Sequence, residues 1–87
     1  MFKRGWLGFG RIRSDEGFTV HYGHKTVYYS DERGDFQIGY EDGLLFPDSL
    51  CLVRPVREIP QGDKALILNR MLKALKWDGH NPRVSGE

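Results

Sequence analysis

Cysteine is almost missing from this chain: Cys51 is the only one in 87 residues. No disulfide can close within it, and nothing in its thiol content points to an oxidising compartment. There is no apolar run approaching the roughly 20 residues that cross a bilayer. The opening Met1-Phe2-Lys3-Arg4-Gly5-Trp6 is charged, but no apolar stretch of the secretory kind follows it. These absences lead to the expectation of a cytoplasmic protein. Internal repeats, low-complexity tracts and linkers are also lacking, so residues 1–87 read as one domain. No serine elbow, phosphate loop or carboxylate pair of diagnostic spacing occurs, and the expectation is a protein that is not an enzyme.

What is there suits a small folded unit. Apolar residues make up 39% and charged residues 29% of the chain, enough for a modest core. The net charge of +1 argues against generic attraction to nucleic acid or membrane. That small value hides a segregation. Residues 1–13 carry Lys3, Arg4, Arg11 and Arg13 without an acid. Residues 31–48 carry Asp31, Glu32, Asp35, Glu41, Asp42 and Asp48 against the single Arg33. Such a block either presents a negative face to a basic partner or consists of solvated turn residues.

The first half reads as short strands punctuated by turns. Leu7 to Arg13 alternates, and Ser14-Asp15-Glu16-Gly17 is a turn in which Gly17 can take a positive φ. Phe18, Val20 and Tyr22 then fall on one face of a strand. Gly23-His24 makes a tight connection to Lys25–Asp31, which is rich in β-branched and aromatic residues. After Glu32-Arg33-Gly34, the stretch from Asp35 to Tyr40 places Phe36, Ile38 and Tyr40 together. Asp42-Gly43 is a hairpin dipeptide, and Ser49 to Val53 forms a fifth or continuing strand beyond the bend at Pro47-Asp48.

From Gln61 to Trp77 the period changes to that of a helix, with Leu68, Leu72 and Leu75 on one stripe flanked by Ala65 and Met71. Pro60 precedes its first turn, Asp63 favours its start, Lys73 and Lys76 its end, and Asp78-Gly79 supplies the stop. Leu66 and Trp77 fall opposite the stripe; Trp77 is expected to fold back onto the sheet or the C-terminal tail, the other possibility being an exposed anchor. Arg83 to Ser85 adds a possible edge strand. The expected fold is therefore α+β: an antiparallel meander of four to five strands with one C-terminal helix packed on the sheet.

The chemistry-bearing residues are few. His21, His24 and His80 do not make a convergent ligand set with the isolated Cys51, so no metal or other cofactor is expected. The glycine-rich stretch Gly5 to Gly10 does not join a strand to a helix, and a dinucleotide loop is excluded on context. A nucleic-acid-binding alternative rests on Gly8-Phe9-Gly10-Arg11-Ile12, Asp15-Glu16-Gly17 and Phe18-Thr19-Val20-His21-Tyr22. These segments resemble the two aromatic strand motifs of cold-shock domains, which stack bases on surface aromatics beside basic groups. Arg11 stands where that pattern has its second Phe.

A longer resemblance runs from about Tyr28 onward. Its elements are Asp35-Phe36-Gln37-Ile38-Gly39-Tyr40, Leu45-Phe46-Pro47-Asp48-Ser49-Leu50, Arg54-Pro55, Ile59 and the helix Ile67 to Leu75 ending near Gly79. In these the chain resembles small α+β immunity proteins of bacterial polymorphic and contact-dependent growth inhibition toxin systems, the immunity protein 74 family in particular. Val53 stands where those proteins tend to carry Trp, and Pro60 where they tend to have Ser or Thr. The resemblance implies a cytosolic inhibitor that binds one cognate toxin domain, often a nuclease, as a monomer in a 1:1 complex, without nucleic acid or membrane as partner. A nuclease is basic where it holds substrate, so an acidic face suits its inhibitor. Charge clustering nominates Asp31, Glu32, Asp35, Glu41 and Asp42 as contacts, with Tyr29 beside Asp31 as the aromatic anchor.

Overall fold

In the computed structural model, residues 2–4, 11–54 and 57–85 are described. The elements are β1 (Phe2–Arg4), β2 (Arg11–Ser14), β3 (Thr19–Gly23), β4 (Thr26–Asp31), β5 (Gly34–Glu41), β6 (Leu44–Arg54), α1 (Gln61–Trp77) and β7 (Arg83–Val84). All strands join one sheet in sequence order, antiparallel except for the last pair, where β7 runs parallel to the start of β6. Parallel neighbours need a long crossover, and α1 is that crossover, which places it on one face of the sheet.

The expected α+β class and C-terminal helix hold, but among the described residues the sheet has seven strands and not four to five. β1 is only three residues long, too short to show an alternation. The two apolar runs around Pro47 belong to one strand, because β6 accommodates Pro47–Leu50 as a bulge between the pairs Gln37–Cys51 and Gly39–Phe46. Ser49 stitches this bulge: its Oγ accepts from the Gly39 N–H and donates to the Phe46 carbonyl, both at 2.7 Å. Of the expected strand Leu7–Arg13, residues 11–13 belong to β2, and residues 7–10 lie outside the described residues.

Turn chemistry sets the registers. Asp42 and Gly43 both take positive φ, 54° and 79°, the mirror-image turn that matches strand twist. The β3–β4 loop is His24-Lys25, one residue later than expected, with Gly23 paired to Thr26 and Lys25 in the left-handed region. Gly34, at φ 138°, passes so close to β6 that a Cβ there would lie 2.1 Å from the Arg54 carbonyl oxygen.

One face of the sheet carries the core. Ile12, Val20, Tyr29, Phe36 and Leu52 stand opposite one another across β2 to β6, with Val27, Ile38 and Leu45 beside them. Ile67, Met71, Ala74 and Leu75 of α1 close over this layer. The buried stripe is thus turned from the expected Leu68–Leu72–Leu75 line; Leu68 and Leu72 flank it, half-buried, and Ala65 is exposed. Seven apolar residues from Leu66 to Leu75 span a wide arc, and the small Ala74 is among those fully buried. The helix ends as its sequence asks: Gly79 takes φ 94°, and the N–H groups of Gly79 and His80 donate to the carbonyls of Lys76 and Leu75. Trp77 is 42% exposed and its ring lies 5.9 Å from that of Phe2 on β1.

Candidate interaction surface

The acidic block does not gather on one face. β5 runs between two of its clusters, Asp31-Glu32 at one end and Glu41-Asp42 at the other, roughly 20 Å apart at the rise of a strand. Glu32 and Asp42 are exposed in turns, and Glu41 is ion-paired with Lys25 at 3.5 Å. Asp35 is exposed on the opposite side of the sheet from the core. Strand alternation followed by sharp turns sends neighbours in sequence to different ends of the molecule.

Asp31 and Tyr29, both expected at an interface, are interior. The Tyr29 ring is 1% exposed, stacked on Phe18 at 5.5 Å and edge-on to Phe36 at 5.7 Å. Its hydroxyl donates to Asp31 Oδ2 at 2.6 Å and accepts from Arg70 Nη1 at 2.9 Å. The Asp31 side chain, 2% exposed, also takes the Arg33 guanidinium at 2.8 Å and the Arg33 backbone N–H at 2.7 Å. Burial, then the hydrogen bond to the Asp31 carboxylate, pushes the Tyr29 phenol up to about 12. Arg33 reaches Asp63 in the first turn of α1 at 3.4 Å, and the Arg70 guanidinium lies 4.8 Å over the Phe18 ring. The group is a clasp between helix and sheet, with the Tyr29 hydroxyl and the Asp31 carboxylate enclosed by their partners while Arg33, Arg70 and Asp63 stay partly exposed.

The exposed tyrosine is its neighbour. Tyr28 is 45% exposed and points away from the helix, since successive residues of a strand face opposite ways. Directly opposite residues form a row Arg11–His21–Tyr28–Gln37–Cys51 across five strands, and beside it a row Arg13–Thr19–Ser30–Asp35–Arg54. His21 and Tyr28 have ring centroids 5.9 Å apart. A register shift between Asp35 and Phe36 leaves Val53, 38% exposed, beside Arg54 on this side. Together Arg11, His21, Tyr28, Gln37, Val53 and Arg54 line a shallow depression of about 440 Å³. Antiparallel sheets commonly leave one face to water; here that face has an apolar and aromatic centre with arginines at both margins.

The three histidines are dispersed. His21 is in this row, His24 is exposed in the β3–β4 turn, and His80 packs edge-on against Tyr22 at 4.4 Å with Nε2 3.6 Å from Asp78. Among the described residues no group of three His, Cys, Asp or Glu side chains is placed to hold a metal ion. None of the described helices is long and apolar enough to cross a membrane. Sequence reasoning missed Tyr28, Val53 and Arg54 as surface residues. The one available signal was the phase of β3, where His21 between Val20 and Tyr22 marks the outward side. No family model, curated protein or solved structure matches this chain.

Proposed function

We propose that the protein is a non-catalytic, cytoplasmic immunity protein that binds a cognate bacterial toxin domain one to one and neutralises it, using the helix-free face of its sheet. The observation that carries this reading is the depression around Tyr28, with Val53 toward its β6 side, which among the described residues nothing covers: aromatic and aliphatic side chains within a polar, charged rim. That is the anatomy of a protein-binding patch, in which an aromatic anchor supplies much of the energy and the rim excludes water. The sequence resemblance to immunity proteins supplies the class of partner. The test is titration of the chain into the toxin domain encoded beside it, with toxin activity as readout. Full inhibition at one equivalent, lost with Tyr28→Ala, supports the proposal; undiminished toxin activity at excess protein rejects it.

A second reading has its own support. Arg11, Arg13, His21 and Tyr28 share that face, and exposed aromatics beside cations suit single-stranded nucleic acid. Such binding would weaken steeply with added salt, through counterion release.

A further inference from the structure

Resting on the immunity reading, we infer that the surface of the toxin domain gripped by this protein is acidic, so that a nuclease partner is held away from its substrate-binding cleft. The reasoning is one of charge placement. The face outside the helix carries Arg11 and Arg13 on β2 and Arg54 at the end of β6, four strand spacings away. At the usual strand separation these margins lie roughly 19 Å apart. Lys3 stands opposite Arg13, adding a further cation on the β1 side. The one carboxylate within the depression is Asp35, paired across strands with Arg54. Glu41, at the far end, is occupied by Lys25.

A basic substrate cleft would meet like charge on this face, and like charges brought together across an interface are strongly unfavourable. A convex protein surface with an apolar centre and carboxylates on either side fits instead. It meets Tyr28 in the middle, Val53 beside Arg54 on β6, and the arginines at the margins, each able to hold a carboxylate by two parallel hydrogen bonds. Nucleic acid fits less well, because Asp35 lies where a phosphate backbone would follow the arginines across the sheet. Inhibition then works by distorting the toxin or blocking its movement, not by filling its cleft.

The experiment is stopped-flow association of the full-length protein with the catalytically inactivated toxin domain encoded beside it, from low to moderate salt. The variants are Arg11→Glu with Arg54→Glu, and Glu32→Lys with Asp42→Lys, all at exposed positions and each checked for unchanged thermal unfolding. The arginine reversal is expected to slow association by about tenfold or more at low salt, while the acid reversal leaves it unchanged or faster. The opposite pattern overturns this inference and leaves the immunity reading in place. A complex insensitive to both reversals does the same. If no complex forms with the wild-type protein, both fall. If the free protein binds a labelled 15-mer of oligouridylate and the arginine reversal abolishes it, the face is a nucleic-acid surface and the inference is overturned.

Discussion

Arg70 of the helix and Tyr29 of the sheet, 41 residues apart in sequence, share a hydrogen bond of 2.9 Å that closes around Asp31. It ties α1 to the middle of the sheet at a point where the apolar contacts end. Tyr29→Phe removes the hydroxyl from between the carboxylate and the guanidinium at little cost in volume. It is expected to destabilise the protein by about 1–2 kcal/mol. Asp31→Asn leaves Arg70 without its counter-ion and should cost more, about 2–3 kcal/mol. Chemical denaturation of the two variants checks the order; a larger loss from Tyr29→Phe contradicts it.

The same clasp sets an alkaline limit. Tyr29 titrates at about 12 in the folded protein, against about 10 when exposed in the unfolded chain. A raised phenol pKa means that the folded state keeps a proton the unfolded state has released. The stabilisation is complete below pH 10 and is lost as pH rises from 10 through 12. Absorbance at 295 nm should show one phenol ionising near pH 12, in step with loss of structure. Tyr29→Phe should remove that step.

Gly34 is the tightest point of the β4–β5 turn. An added methyl meets the Arg54 carbonyl oxygen at 2.1 Å, and the backbone sits at φ 138°, which side chains resist. Gly34→Ala is expected to cost about 2 kcal/mol or more by forcing β5 and β6 apart. Gly17→Ala meets no neighbouring atom and carries only the conformational penalty at φ 93°, so it should cost less. Equal losses in thermal unfolding would contradict this ranking.

Met71 tests the helix stripe. It is fully buried, and Met71→Ala should cost about 2–5 kcal/mol. Leu68→Ala, on the stripe expected from spacing but only half-buried, should cost less. The reverse order would restore the line through Leu68, Leu72 and Leu75.

Much of this architecture is written in local signals. Pro60 and Asp78-Gly79 bracket a helix that spans Gln61–Trp77, and Asp42-Gly43 makes the turn its dipeptide favours. What could not be read depends on partners distant in sequence. In Val27-Tyr28-Tyr29-Ser30 no polar alternation says which tyrosine faces inward. A shift of one residue exchanges core for surface, and only pairing with Val20 and Phe36 decides it. Asp31 looks like one acid in an acidic run until Arg70 is brought to it from the helix. The run itself has no meaning as a face, because β5 carries its two ends apart. Val53 faces outward by simple alternation with Leu52, but Arg54 joins it on that side only through a register shift that no composition signals.

The central claim is that this protein acts through the outer face of its sheet, around Tyr28. The most direct measurement is backbone amide chemical-shift mapping of the labelled protein on adding the inactivated form of the proposed toxin partner. The account expects perturbations concentrated at Arg11, His21, Tyr28, Gln37, Val53 and Arg54, with the turns at Glu32 and Asp42 and the outer side of α1 unchanged. Perturbations confined to those turns or to the helix, with the outer face silent, would contradict it.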